Sequence, residues 1–184
     1  MPQGTPVPHN EVGPLHAWAD DIIGMLSRIW PSPRGLQIAR VLQTYRQQRR
    51  IVFEVLKAPE SAVWRSSQQI AIFVQKDANV ARLMRRPGRA YDRSNPGGWL
   101  VSPDDYVLER SKLILSLAHE GLHAAKATPG DGCLEEEIDG RLAGNAAAKA
   151  MGLPAGHRLP VNAAGLAPAV ASLQKSDYPD LSSD

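Results

Sequence analysis

Residues 113–124, Leu-Ile-Leu-Ser-Leu-Ala-His-Glu-Gly-Leu-His-Ala, decide how this chain is read. The apolar run Leu113-Ile114-Leu115-Ser116-Leu117-Ala118 predicts a helix that runs into His119-Glu120-Gly121-Leu122-His123, an H-E-x-x-H sequence. Two histidines four apart on a helix are separated by little more than one turn, so both imidazoles leave the same face. That spacing suits two ligands of a tetrahedral Zn2+, and the intervening Glu120 can act as general base on a water activated there. A histidine pair on an apolar helix is also an ordinary core feature. Glu120 and Gly121 argue against that here, because glycine in a helix interior costs about 1 kcal/mol relative to alanine. Space left for a substrate or a facing backbone would account for it.

Working toward the C-terminus, a second helix is expected from about Leu134 to Ala150, closed by Gly152-Leu153-Pro154. It opens on Glu135-Glu136-Glu137-Ile138-Asp139, which is either the acidic first turn that suits a helix dipole or the source of a third ligand. Helical phase ranks the glutamates: with the stripe of Leu134, Ile138 and Leu142 as the buried face, Glu135 lies ~60° from its centre, Glu137 ~100° and Glu136 ~160°. Glu135 is therefore the expected third metal ligand. Asp139, four residues on, is the expected acceptor for the other ring N–H of a ligand histidine. Glu137 or Asp131 replaces Glu135 if the register is shifted. His9, His16 and His157 read as solvent-facing. Pro129 stands where a compact three-histidine motif would need its third histidine.

Toward the N-terminus the chain is expected to run helix, helix, strand, strand, strand. Leu15 to Trp30 has Trp18, Ile22, Met25, Leu26 and Ile29 at helical spacing, and Pro31-Ser32-Pro33 stops it. Gly35 to Gln47 follows, with Leu36, Ala39, Leu42 and Val41 inward. Residues 50–56 and 70–74 are β-branched and aromatic runs of strand length, and a third strand is expected at Gly98-Trp99-Leu100-Val101-Ser102 after the Asn95-Pro96-Gly97-Gly98 turn. Ser102 or Asp104 would cap the H-E-x-x-H helix, run from about Asp105 to Lys126. Residues 77–95 read as a short helix and a mobile loop. The product is an α+β domain over 15–154, a short three-stranded sheet packed on the H-E-x-x-H helix, with a flexible lead at 1–14 and a Pro/Ala/Ser-rich extension at 155–184.

Composition limits the alternatives. The 184 residues, 22% charged and 43% hydrophobic, fit one domain, and a net charge of +2 does not argue for nucleic acid. The arginine clusters (Arg46, Arg49, Arg50; Arg82, Arg85, Arg86, Arg89) lack interleaved aromatics and read as solvated faces or loops. Cys133 is the single cysteine, which excludes an intrachain disulfide and a zinc ribbon and leaves a nucleophilic role without support. The first residues do not form a secretory signal, and no apolar run approaches the ~20 residues that span a bilayer, so neither membrane nor nucleic acid is an expected partner.

Ser32-Pro33-Arg34-Gly35-Leu36 before a helix, the strand Ile51-Val52-Phe53-Glu54-Val55, the strand Gly98-Trp99-Leu100-Val101-Ser102-Pro103 and then Leu117-Ala118-His119-Glu120-Gly121-Leu122-His123-Ala124 resemble the NleD-type effector zinc metallopeptidases. The resemblance covers roughly residues 32–154 and is sharpest at 117–124 with the glutamates that follow. It implies a zincin fold, one Zn2+ and endopeptidase action inside a target cell after delivery by a bacterial secretion system, or a role as a toxin module. His119 and His123 match the family's metal histidines and Glu120 its base. Gly121 replaces the bulkier residue usual in the motif.

Read this way, the chain hydrolyses a peptide bond of a protein substrate. Glu120 moves the proton, Trp99, Leu100 and Val101 form a sheet edge able to pair with an extended substrate, and Tyr91, Tyr106 or His157 stabilises the oxyanion. A chaperone or immunity protein is a further partner to expect. Two rivals remain: a binding module with closed structural zinc, and a regulatory partner protein in which the motif is accidental.

Overall fold

The computed structural model describes residues 3–56, 62–65, 67–79, 82, 98–127, 134–159 and 161. Its described residues form an α+β domain of four α-helices and one mixed sheet. The elements run β1 (Thr5–Pro6), α1 (Gly13–Ile29), α2 (Pro33–Gln47), β2 (Ile51–Val55), β3 (Ala62–Arg65), β4 (Gln69–Lys76), β5 (Trp99–Val101), β6 (Tyr106–Glu109), α3 (Arg110–Lys126) and α4 (Leu134–Ala150). A 3-10 turn at Ala155–His157 follows.

The sheet is larger than the three strands expected from sequence. Its order is β1-β2-β4-β6-β5, with β3 also on β4. β2 and β4 are parallel, and the remaining pairs are antiparallel. β3 lies along residues 69–72 of β4 and β6 along 75–76, so both share the edge of β4 opposite β2. Three short strands escaped the sequence reading for separate reasons. β1 falls in the expected flexible lead, yet Val7 is buried and its N–H donates to the Phe53 carbonyl at 3.0 Å. β3 has only four residues. β6 was absorbed into the helix after it: Ser102–Asp105 closes a β5–β6 hairpin with Asp105 at φ 65°, and the Ser102 hydroxyl accepts from the Tyr106 N–H at 3.0 Å.

The helices cover one face of the sheet. Leu15, Ala19, Ile22, Ile23 and Leu26 of α1 and Ile38, Ala39 and Leu42 of α2 join Phe53, Ile70, Ile72 and Val74 from the sheet and Leu113, Leu117 and Leu122 of α3 in one core. Ile29 and Leu36, expected inside, are 43% and 39% exposed on either side of the Pro31-Ser32-Pro33 turn. Ser32 caps α2 by accepting from the Gly35 N–H at 3.1 Å, with Pro33 at the first helical position. Gly152, at φ 75°, ends α4 with Leu153 N–H on the Ala148 carbonyl, a Schellman closure that only a residue tolerant of the left-handed region makes cheaply. Gly121 is explained by packing rather than by substrate. A Cβ there would stand 2.9 Å from Cγ2 of Ile38, so its absence lets α3 and α2 approach.

Candidate metal centre

The site is built where the last turns of α3 meet the first turn of α4. The apolar face of α3 fixes its rotation: Leu113, Leu117 and Leu122 are fully buried, which turns His119 and His123 together toward α4. Their Nε2 atoms are 3.0 Å apart. Glu137 of α4 completes the group, with one carboxylate oxygen 3.3 Å from Nε2 of His119 and the other 3.6 Å from Nε2 of His123.

Glu135, the expected third ligand, is not brought to the histidines: it is exposed, and Glu137 is the glutamate set against both imidazoles. Helical phase ranks the glutamates against the buried apolar stripe of Leu134, Ile138 and Leu142, and that stripe is not what sets Glu137 against the histidines. The face that does so is a stripe of small residues in line with Glu137. A Cβ on Gly140 would stand 2.7 Å from Cε1 of His119, and one on Gly144 would stand 3.1 Å from the Leu115 carbonyl oxygen. Hydrophobicity does not mark such a face, because its function is to let two backbones come close. The spacing of Gly140 and Gly144 was the signal that could have found it.

Asp139 is the expected acceptor for the other ring N–H of a ligand histidine. It is 1% exposed and ion-paired with Lys126 at the end of α3 and with Arg34 of α2 at 3.4 Å. It is not the acceptor for His123, whose Nδ1 is buried without a hydrogen-bond partner. Asp139 instead ties the start of α4 to the two helices beside it, two residues beyond Glu137.

Glu120 also reaches the sheet from α3. It is 8% exposed, and its Oε2 accepts the main-chain N–H of Trp64 in β3 at 2.6 Å. His119, Glu120 and His123 each place a ligand-type atom within 4.8 Å of the others. Burial raises the Glu120 carboxyl above its ordinary value, against the opposing pull of His119 and the Trp64 amide. Burial also acts to lower His119, but its hydrogen bond to Glu137 and the charges of Glu120 and Glu137 outweigh it and hold that imidazole above its ordinary value. Burial and the neighbouring His119 lower His123. The His119 hydrogen bond lowers Glu137. Two nitrogens and a carboxylate thus converge in one place.

The donor set could hold a metal ion, and its spacing is compatible with zinc without singling it out. Nitrogen and oxygen ligands at the usual Zn2+ bond lengths stand about 3.3–3.4 Å apart in a tetrahedron. The three edges here are 3.0, 3.3 and 3.6 Å.

Several expected residues are not brought to this group. Trp99, Leu100 and Val101 form an outer strand, but β5 pairs with β6 beside the start of α3, with the Arg110 N–H on the Gly98 carbonyl. His119 lies nine residues further along the helix, about 14 Å at 1.5 Å per residue. The strand at the histidines is β3. Tyr106 is buried and donates its hydroxyl to Glu11 at 2.6 Å, and burial and that contact push its pKa up to about 12. His157 is exposed in the 3-10 turn. Tyr91, Asp131, Cys133, Arg85, Arg86 and Arg89 lie outside the described residues, as do the Asn95-Pro96-Gly97 turn and most of residues 77–95 and 155–184. Arg46 pairs with Asp20 on the surface, and Arg50 lies over the Tyr45 ring and bonds Gln68. No helix among the described residues is long and apolar enough to cross a membrane.

Comparison of the chain with family models, with curated proteins and with solved structures finds no match in any of the three.

Proposed function

We propose that this chain is a zinc-dependent endopeptidase with a zincin-like domain, acting as a delivered bacterial effector or toxin on a protein of a target cell. The observation that carries the reading is the convergence of His119, His123 and Glu137 on one point, with Glu120 buried beside it and strand β3 alongside. His119, His123 and Glu137 would hold the Zn2+. When bound, zinc supplies Lewis acidity, which polarises a carbonyl and brings the pKa of a coordinated water toward ~7.

The chain's own residues supply the rest. With its Oε2 engaged by Trp64, Glu120 would take the proton of the attacking water on Oε1 and later return it to the leaving amine. Among the described residues β3 pairs only with β4, and the part of its opposite edge not taken by the Trp64–Glu120 bond would be open to an extended substrate main chain. The resemblance to NleD-type metallopeptidases supports the same reaction and a delivered mode of action. The test is cleavage of an unfolded protein by the zinc-loaded chain. Activity should vanish on chelation and in Glu120→Gln, which keeps the metal; cleavage that survives either treatment contradicts the proposal.

A further inference from the structure

Among the described residues, the hydrogen bond from the Trp64 main chain to Glu120 joins the proton-transferring carboxylate to the sheet. We propose that the Trp64 N–H is the positioning group for Glu120, an assignment that rests on the peptidase reading above.

Three observations support it. The bond is short for an N–H donor, 2.6 Å, and it is buried. The amide is directed at Glu120 by strand geometry. In an antiparallel pair only alternate residues exchange hydrogen bonds, so with Trp64 opposite Ile70 as a non-bonded pair, its N–H faces away from β4. Finally, the residues carrying the amide are anchored on both sides of the strand's end by side-chain contacts. The Trp64 ring is 6% exposed and its Nε1–H donates to the Tyr45 hydroxyl at 3.3 Å, while the next residue, Arg65, grips Glu54 through two hydrogen bonds of 2.6 and 2.9 Å.

A glutamate has three rotatable side-chain bonds, and small misplacements of a reacting group are costly. A rigid donor on Oε2 restricts the carboxylate to one orientation and leaves Oε1 for the proton. An edge amide also needs some partner, so a merely structural bond is the alternative to exclude.

The test replaces the Trp64 amide by an ester in the full-length, zinc-loaded chain, which deletes the N–H and keeps the indole. Labelled, unfolded casein is the probe. The expected result is a fall in kcat of about 10- to 100-fold with KM and zinc affinity within about twofold of the parent. A kcat within twofold of the parent overturns the proposal. Site-resolved hydrogen exchange decides the matter if the ester chain does not fold. The Trp64 amide should exchange at least ~10-fold faster in Glu120→Ala and stay protected in Glu120→Gln. Unchanged exchange in Glu120→Ala also overturns it. A parent inert toward casein counts against the peptidase reading, and the exchange rates then settle the Trp64 assignment by themselves.

Discussion

Gly140 of α4 lies directly against the imidazole of His119, so that a Cβ at that position would stand 2.7 Å from Cε1 and 2.8 Å from both ring nitrogens. The ring is held between the Glu137 carboxylate on one side and the bare α4 backbone on the other. The absence of a side chain is what lets His119 aim Nε2 at Glu137 and His123. Gly140→Ala therefore has two opposed effects. It removes the helix-interior glycine penalty of about 1 kcal/mol, and it drives a methyl into a buried ring. The clash should win. A loss of stability of about 1–3 kcal/mol, with weakened zinc binding, is expected from denaturation and zinc titration. A more stable Gly140→Ala with parental affinity would show that the ring has room to move.

The glutamates divide sharply. Glu137→Ala removes the carboxylate facing both histidines and should weaken zinc binding far more than Glu135→Ala, which removes an exposed side chain near a helix start. Glu135→Ala should change stability by only about 0.3–1 kcal/mol, through the helix dipole. Zinc titrations of the two variants beside the parent check this. Greater loss in Glu135→Ala would place the third ligand elsewhere than the geometry does.

The difference between these two residues also marks how far the sequence could be read. H-E-x-x-H fixed the helix, the two histidines and Glu120, because a four-residue helical spacing has one geometric meaning. The third ligand was not legible in the same way. Its position depends on which face of α4 meets α3, and that face consists of Gly140 and Gly144, residues without a hydrophobic signature. The strand beside the site was missed for a related reason. β3 is four residues long, and the group it offers Glu120 is a main-chain N–H, which any residue carries. Trp99, Leu100 and Val101 had the stronger strand pattern, but register along α3 leaves them at its opposite end.

Asp139 should matter for assembly more than for the metal itself. Asp139→Asn keeps the shape but removes the charge that Lys126 and Arg34 share. Both cations are partly exposed, so the expected loss is about 1–3 kcal/mol, below that of a fully buried pair. Zinc affinity should fall less than in Glu137→Ala, because the effect reaches Glu137 only through the position of α4. Chemical denaturation and zinc titration measure both. Parental stability in Asp139→Asn would remove the clamp from the account.

Acid should loosen the sheet through Glu54. Its hydrogen bonds from Arg65 hold the carboxyl below its ordinary value of 4.5 despite burial, and the Gly4 N–H adds to the effect. A carboxyl whose folded pKa is depressed contributes stability that is present above its unfolded pKa and lost as the pH falls through the folded one. Stability should therefore decline below about pH 4.5, and Glu54→Gln should flatten that part of the profile while lowering stability at pH 7. Urea midpoints between about pH 3 and 7 for both chains test it. Parallel profiles would contradict the assignment.

The central claim is a zinc site made by His119, His123 and Glu137, and direct metal analysis of the purified chain tests it best. One equivalent of zinc is expected, with higher thermal stability than the chelator-treated chain, since a metal bound only by the folded state stabilises it. The double variant His119→Ala/His123→Ala should hold none and should not respond to chelator. No bound zinc in the parent, or a full equivalent in the double variant, would contradict the account.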